Sequence, residues 1–184
     1  LEPEPDSVTI QPLPDPLPWE WGTESGARVG VVLYRSLLQA DDLGLARQLN
    51  RTLREAGLCP RLLWVSSLRD AAVQAGAVDL LSSEGVELVI TGTAFASVRS
   101  EDAGLGSPIW DQLDCPVLQL LTGSRSREAW NASSRGLDPL DLSLQVVMPE
   151  LDGRVTTRPC GFRQLTMDQG GLATALPSLI PDPI

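Results

Sequence analysis

The sequence contains no histidine and no lysine. Without histidine the chain lacks the commonest metal ligand and the commonest general base at neutral pH, so chemistry done by these residues would rest on carboxylates, hydroxyls or thiols. Without lysine, all 14 basic groups are arginines, set against 24 acidic residues for a formal net charge of −10. A GC-rich genome is the plain source of such arginine usage. The charge balance supplies no basic surface of the kind that phosphate backbones require, which argues against nucleic acid as a partner. No stretch approaches the roughly 18 consecutive apolar residues of a membrane span, and Leu1-Glu2-Pro3-Glu4-Pro5-Asp6 lacks the basic and apolar regions of a signal peptide. Cysteine is scarce: Cys59, Cys115 and Cys160 are odd in number, widely spaced and free of any Cys-x-x-Cys pairing, which suits plain thiols in a reducing cytoplasm. Walker A loops, dinucleotide Gly-x-Gly-x-x-Gly motifs and Gly-x-Ser-x-Gly elbows are also missing, so nucleotide hydrolysis and ordinary hydrolase chemistry lack support. The chain has no initiator methionine and stops at Pro181-Asp182-Pro183-Ile184, so it is expected to be cut from a longer polypeptide.

What is present reads as one globular domain with appendages. Length 184, with 42% hydrophobic and 21% charged residues, is enough for a single substantial core. Residues 1–26 carry Pro3, Pro5, Pro12, Pro14, Pro16 and Pro18 ahead of Trp19 and Trp21, and are expected to form a proline-rich linker that the tryptophans pin to a neighbouring surface. From residue 27 to residue 160 the texture is that of an α/β domain. Val29–Tyr34 predicts a strand buried on both faces, and 41–56 an amphipathic helix with Leu45, Leu49 and Leu53 on one side, capped by Asp41 or Asp42 and stopped at Gly57. Further strands are predicted at 62–65, 86–90 and 116–121, and helices at 69–83, after Ser107-Pro108, and at 127–134. A last helix capped by Asp138 should finish before Pro149, and Asp152-Gly153 should turn into a short strand at 154–158. Residues 161–184 are expected to be irregular and to lead into the rest of the subunit. Strands alternating with helical crossovers imply a flavodoxin-like, doubly wound parallel sheet of about four to five strands with helices on both faces.

In such sheets ligands bind beyond the C-terminal strand ends. Here all four ends are polar: Tyr34-Arg35-Ser36, Ser66-Ser67, Thr91-Gly92-Thr93 and Thr122-Gly123-Ser124-Arg125-Ser126. Small hydroxyl residues and glycines offer N–H groups to anions, and the arginine forks Arg35, Arg125 and Arg127 match carboxylates in two-point contact. The same residue types are also simply good loop and cap formers, and that alternative stands. Glu150 and Asp152, either side of Leu151, form either a carboxylate pair or a solvated turn.

The runs Ser126-Arg127-Glu128-Ala129-Trp130-Asn131-Ala132-Ser133-Ser134-Arg135-Gly136-Leu137 and Leu144-Gln145-Val146-Val147-Met148-Pro149-Glu150-Leu151-Asp152-Gly153-Arg154 closely resemble the CobN family. Val31-Val32-Leu33-Tyr34-Arg35-Ser36 and Val65-Ser66-Ser67-Leu68 fit as well, so the resemblance covers about residues 28–158. These are the large subunits of ATP-dependent cobalt chelatases, similar to those of magnesium chelatases. The resemblance implies an intact subunit that inserts cobalt into a corrin precursor, hydrogenobyrinic acid a,c-diamide, with AAA+ partner subunits hydrolysing ATP with magnesium. It implies no cofactor, no metal ligand and no catalytic residue within this domain. Many family members have histidine where this chain has Leu37, and the family's His-Gly-x-x-Glu-Phe-x-Pro-Gly segment would lie beyond Ile184. The candidate ligand-binding residues are Tyr34, Arg35, Ser66, Thr93, Ser124, Arg125, Arg127, Glu150 and Asp152; of these, Tyr34, Arg35, Thr93, Ser124 and Arg125, placed at predicted strand ends, are expected to face one wall of the tetrapyrrole cleft that the resemblance implies. Two alternatives remain: a scaffold docking other domains or the AAA+ subunits through 127–151, and magnesium insertion into protoporphyrin.

Overall fold

The computed structural model describes residues 13–19, 21, 25–94, 109–166 and 176–181. The elements run β1 (Leu17–Trp19), β2 (Arg28–Tyr34), α1 (Arg35–Gln39), α2 (Gly44–Glu55), β3 (Cys59–Val65), α3 (Ala71–Ser83) and β4 (Leu88–Thr91). A 3-10 turn (Ile109–Gln112), β5 (Val117–Gly123), α4 (Arg127–Asn131), α5 (Pro139–Leu142), a π-helical turn (Ser143–Val147), α6 (Met148–Leu151), β6 (Val155–Thr166) and β7 (Leu176–Pro181) follow. All seven strands join one mixed sheet in the order β1-β3-β2-β4-β5-β6-β7. Strands β3, β2, β4, β5 and β6 are mutually parallel, while β1 and β7 close the two edges antiparallel.

The sheet divides the core into two layers because side chains alternate along each strand. Val29, Val31 and Leu33 of β2 point to one face, where Leu45, Ala46 and Leu53 of α2 cover them. On the opposite face Val32, Leu63, Val65 and Val89 meet Val73, Ala77 and Leu81 of α3 and Ile109 and Trp110 of the 3-10 turn. Helices therefore flank both faces. Every residue of β3 is buried, as expected of an interior strand in a parallel region. Asp70 caps α3 by accepting hydrogen bonds from the backbone N–H of Ala72 (2.8 Å) and Val73 (3.3 Å).

Several expectations change. The chain forms a seven-stranded mixed sheet and not an all-parallel one of four to five strands. Part of the expected linker is strand β1: Pro18 lies opposite Leu63 on an edge strand, one of the few positions in a sheet that accept a proline. Trp19 and Trp21 dock on this domain's own sheet, Trp19 packing 5.5 Å from the Trp64 ring and Trp21 donating its indole N–H to the Leu62 carbonyl at 2.8 Å. The region expected to be irregular after 160 contains the second half of β6 and all of β7. Pro159 and Gly161 mask β6 in the sequence because they break its alternation, and its pairing with β5 slips at Leu121 and Thr122. Neither Asp41 nor Asp42 caps α2, whose N-cap is Leu43, and an unforeseen short helix α1 follows β2 directly. Gly57, at φ +77°, ends α2 as expected. The helix starting at Asp138 runs past Pro149 to Leu151, because the wide π turn relieves the bond that proline cannot donate. Ser107-Pro108 lies outside the described residues.

Candidate functional site

The C-terminal rim of the parallel strands starts where β2 and β3 end side by side. Tyr34 is in register with Val65, so Arg35 and Ser66 leave the sheet as neighbours. Arg35 is turned toward the preceding segment of the chain: Nη2 donates to the Pro14 carbonyl, Nη1 to that of Leu13 at 3.5 Å, and Nη1 lies 3.8 Å from the Asp15 carboxylate. The N–H of Ser66 donates to Asp15 Oδ1 at 3.2 Å. An acidic residue that the sequence reading did not single out thus sits across two of the candidate ligand-binding positions.

At the ends of β4 and β5 the rim is built on a buried polar cluster. Arg154 is 3% exposed. Its Nη1 donates to the Thr93 carbonyl at 2.8 Å and to Gln119 Oε1 at 2.9 Å, while Nη2 pairs with Asp152 Oδ2 at 2.7 Å. The guanidinium also lies 5.0 Å from the Trp110 ring centroid, a cation–π distance. From the other side, Tyr34 donates its hydroxyl to the Ala94 carbonyl at 2.9 Å. Burial raises the Tyr34 pKa, opposed by the Arg154 charge and by the bond to Ala94. Two consecutive carbonyls at the exit of β4 are therefore held by a side chain from β2 and by Arg154, just ahead of β6. Thr93 itself is buried, its hydroxyl 2.8 Å from that of Thr91. Asp152 is buried against Arg154, whereas Glu150 is exposed and accepts from the Thr156 hydroxyl at 3.2 Å, so the two carboxylates do not converge.

Beyond β5, the loop is tied down by its own helical return. Ser124 donates its N–H to Asp141 Oδ2 at 2.9 Å and its hydroxyl to Asp138 Oδ2 at 3.0 Å. Gln145 accepts from the Thr122 N–H at 2.9 Å and donates to the Thr122 carbonyl at 2.6 Å. Arg125 donates to the Gly136 carbonyl, and Arg127 is exposed at the start of α4, which Ser126 caps. Bonds from the Asp141 N–H and then the Ser124 hydroxyl hold the Asp138 carboxyl below its usual 3.8. A carboxyl depressed in the folded state adds stability above the unfolded value, and that contribution is lost as pH falls through the folded value. The stability gap between the native chain and Asp138→Asn is therefore expected to be constant at neutral pH and to shrink on acidification below the ordinary carboxylate range. Urea melts at stepped pH check this, and a gap that widens in acid would contradict it.

The structure thus brings Tyr34, Arg35 and Ser66 to one rim segment, and Ser124 and Arg125 to another. The residues that organise these segments, Asp15, Gln119, Asp141, Gln145 and Arg154, were not picked out by sequence reasoning. Gln119 carried a usable signal, a lone polar residue inside an apolar strand, which native proteins bury only when it is bonded. Among the described residues no group of three or more histidine, cysteine, aspartate or glutamate side chains could hold a metal ion. None of the three cysteines is in a disulfide, and burial pushes the Cys160 thiol up to about 11. No helix among the described residues is long and apolar enough to cross a membrane.

The polar rim of this α/β sheet carries Arg35, Arg125 and Arg127 at the ends of its parallel strands. The chain belongs to the CobN/magnesium chelatase family, whose sequence model matches residues 6–183. It is 34% identical over 137 residues to the aerobic cobaltochelatase subunit CobN of Pseudomonas aeruginosa, covering 74% of this chain and 11% of that protein. It is also 34% identical over 136 residues to the aerobic cobaltochelatase subunit CobN of a Sinorhizobium species, covering 73% of this chain and 10% of that protein. Among solved structures, the catalytic subunit of cobaltochelatase from Mycobacterium tuberculosis superposes with a TM-score of 0.78 at 27% identity, over 96% of this chain and 15% of that one. The chain therefore spans about a tenth of the length of the curated relatives it matches.

Proposed function

We propose that this chain is a domain of a cobaltochelatase large subunit that contributes one wall of a tetrapyrrole cleft. The intact cytoplasmic subunit would insert cobalt into hydrogenobyrinic acid a,c-diamide, driven by AAA+ partners that hydrolyse ATP with magnesium. The observation that carries this reading is the adjacent placement of Arg35 and the Ser66 N–H at the rim of a sheet from this family. The strand run β3-β2-β4-β5-β6 supports a flavodoxin-like, doubly wound arrangement with its switch point between β2 and β4, where Tyr34 stands. Cobalt would enter as substrate, handled by residues outside this domain.

The test is a titration of the chain with a carboxylated porphyrin, following quenching of its five tryptophans. Saturable quenching is expected without any metal, weakened about tenfold in Arg35→Ala, which corresponds to the loss of about 1.4 kcal/mol. A folded chain that shows no quenching overturns the reading.

A separate feature favours a docking role. Of the six large hydrophobic side chains exposed among the described residues, five lie between 140 and 155: Leu140, Leu142, Val147, Leu151 and Val155. Such a concentration supports a contact surface there, since permanent interfaces are the more apolar ones. Changing both Leu140 and Leu151 to glutamate in the intact subunit is expected to abolish ATP-coupled metal insertion while leaving macrocycle affinity unchanged. Full coupling in that variant would remove the docking role.

A further inference from the structure

We infer that Arg35 and the Ser66 N–H form a carboxylate site that Asp15 fills from within the chain, as a placeholder for a carboxylate arm of the ligand. The inference rests on the tetrapyrrole reading for the identity of the arm, but the site itself rests on geometry. One Asp15 oxygen faces the Ser66 N–H at 3.2 Å and the other faces Arg35 Nη1 at 3.8 Å, so a carboxylate already lies between a guanidinium and a backbone donor.

The arrangement is a poor match for a permanent ion pair. A guanidinium fork is complementary to a carboxylate in two parallel N–H···O bonds of about 2.7–2.9 Å, and Asp15 makes neither. The donors of Arg35 go to the carbonyls of Leu13 and Pro14, and its buried Nε has no hydrogen-bond partner among the described residues. Donor capacity is left over beside a carboxylate that uses little of it. Exchange requires no strand to open: Asp15 precedes β1, which stays paired to β3 from Leu17 onward and is anchored by Trp19 on Trp64. Rotating one short side chain clears the position.

The experiment titrates the chain with uroporphyrin, with its fully esterified form and with free succinate, read by tryptophan quenching and by competition. Asp15→Asn keeps the side-chain shape and an acceptor for Ser66 but removes the charge; Asp15→Ala empties the position. Both are expected to bind uroporphyrin about tenfold more tightly than the native chain, with the ester unaffected and the gain lost when Arg35→Gln is added. Circular dichroism melts establish that each variant is folded. Unchanged or weaker uroporphyrin binding in both Asp15 variants would overturn the placeholder, as would equal gains for acid and ester. Succinate saturating the Asp15 variants but not the native chain, with uroporphyrin bound by none, would keep the carboxylate site while overturning the macrocycle reading. Failure of every variant to bind either acid would sink both.

Discussion

Replacing Arg154 with methionine is expected to cost about 3–5 kcal/mol, because it strands the buried Asp152 carboxylate without its cation. For a chain of this size that corresponds to a fall in melting temperature of roughly 6–20 °C. The expectation follows from burial: the Arg154 and Asp152 side chains are 0% and 2% exposed, so solvent cannot compensate the remaining charge. Removing both charges together, as Arg154→Met with Asp152→Asn, should recover a large part of the loss, since a buried pair is far costlier to halve than to delete. Thermal melts of the two single variants and the double variant measure the coupling directly. Additive losses would show that the pair acts independently and that its place in the cluster is incidental. The Thr93 carbonyl loses its Arg154 donor in the same variant, so hydrogen exchange around 91–94 should quicken beyond what global destabilisation explains.

The second large effect concerns Trp64. This side chain is fully buried in β3, in the layer that α2 covers, and packs at a tilt against Trp19 of the edge strand. Truncation to alanine is expected to cost about 3–5 kcal/mol through lost burial and the cavity left behind. The indole Nε1 has no hydrogen-bond partner among the described residues, so Trp64→Phe gives up some volume but also deletes a buried donor without an acceptor. Phenylalanine should therefore cost much less than alanine. Denaturant melts of the two variants decide the point: equal losses would mean that the indole makes a bond worth as much as its packing. Because Trp64 supports the β1 contact, the alanine variant should also loosen the segment that carries Asp15.

The central strands were legible because their cause is local. Val29-Gly30-Val31-Val32-Leu33-Tyr34 and Pro116-Val117-Leu118-Gln119-Leu120-Leu121 are apolar runs bounded by turn formers, and such runs have few alternatives to a buried parallel strand. The capping of α3 by Asp70 and the stop at Gly57 follow from backbone chemistry within a few residues. The edges were not legible. Proline content made residues 17–19 read as linker, yet an edge strand tolerates proline on its unpaired side, and only the presence of β3 beside it reveals the strand. Likewise β6 is interrupted by Pro159 and Gly161, and its second half exists through pairing with β5 and β7.

The candidate site divides in the same way. The sequence by itself determined which residue types crowd the strand ends, since position after an apolar run is a local property, and its uninterrupted motifs determined the family. Which of those residues face outward was decided by tertiary structure alone. Asp152 is turned inward onto the buried Arg154, and the Thr93 hydroxyl is turned inward onto that of Thr91, while the Thr93 carbonyl accepts from an arginine some sixty residues away. Arg35 and Ser66 met because parallel pairing set Tyr34 beside Val65, and Asp15 joined them because β1 folds back on β3. Burial and ion pairing depend on what arrives from elsewhere in the chain, and no local pattern of residues carries that information.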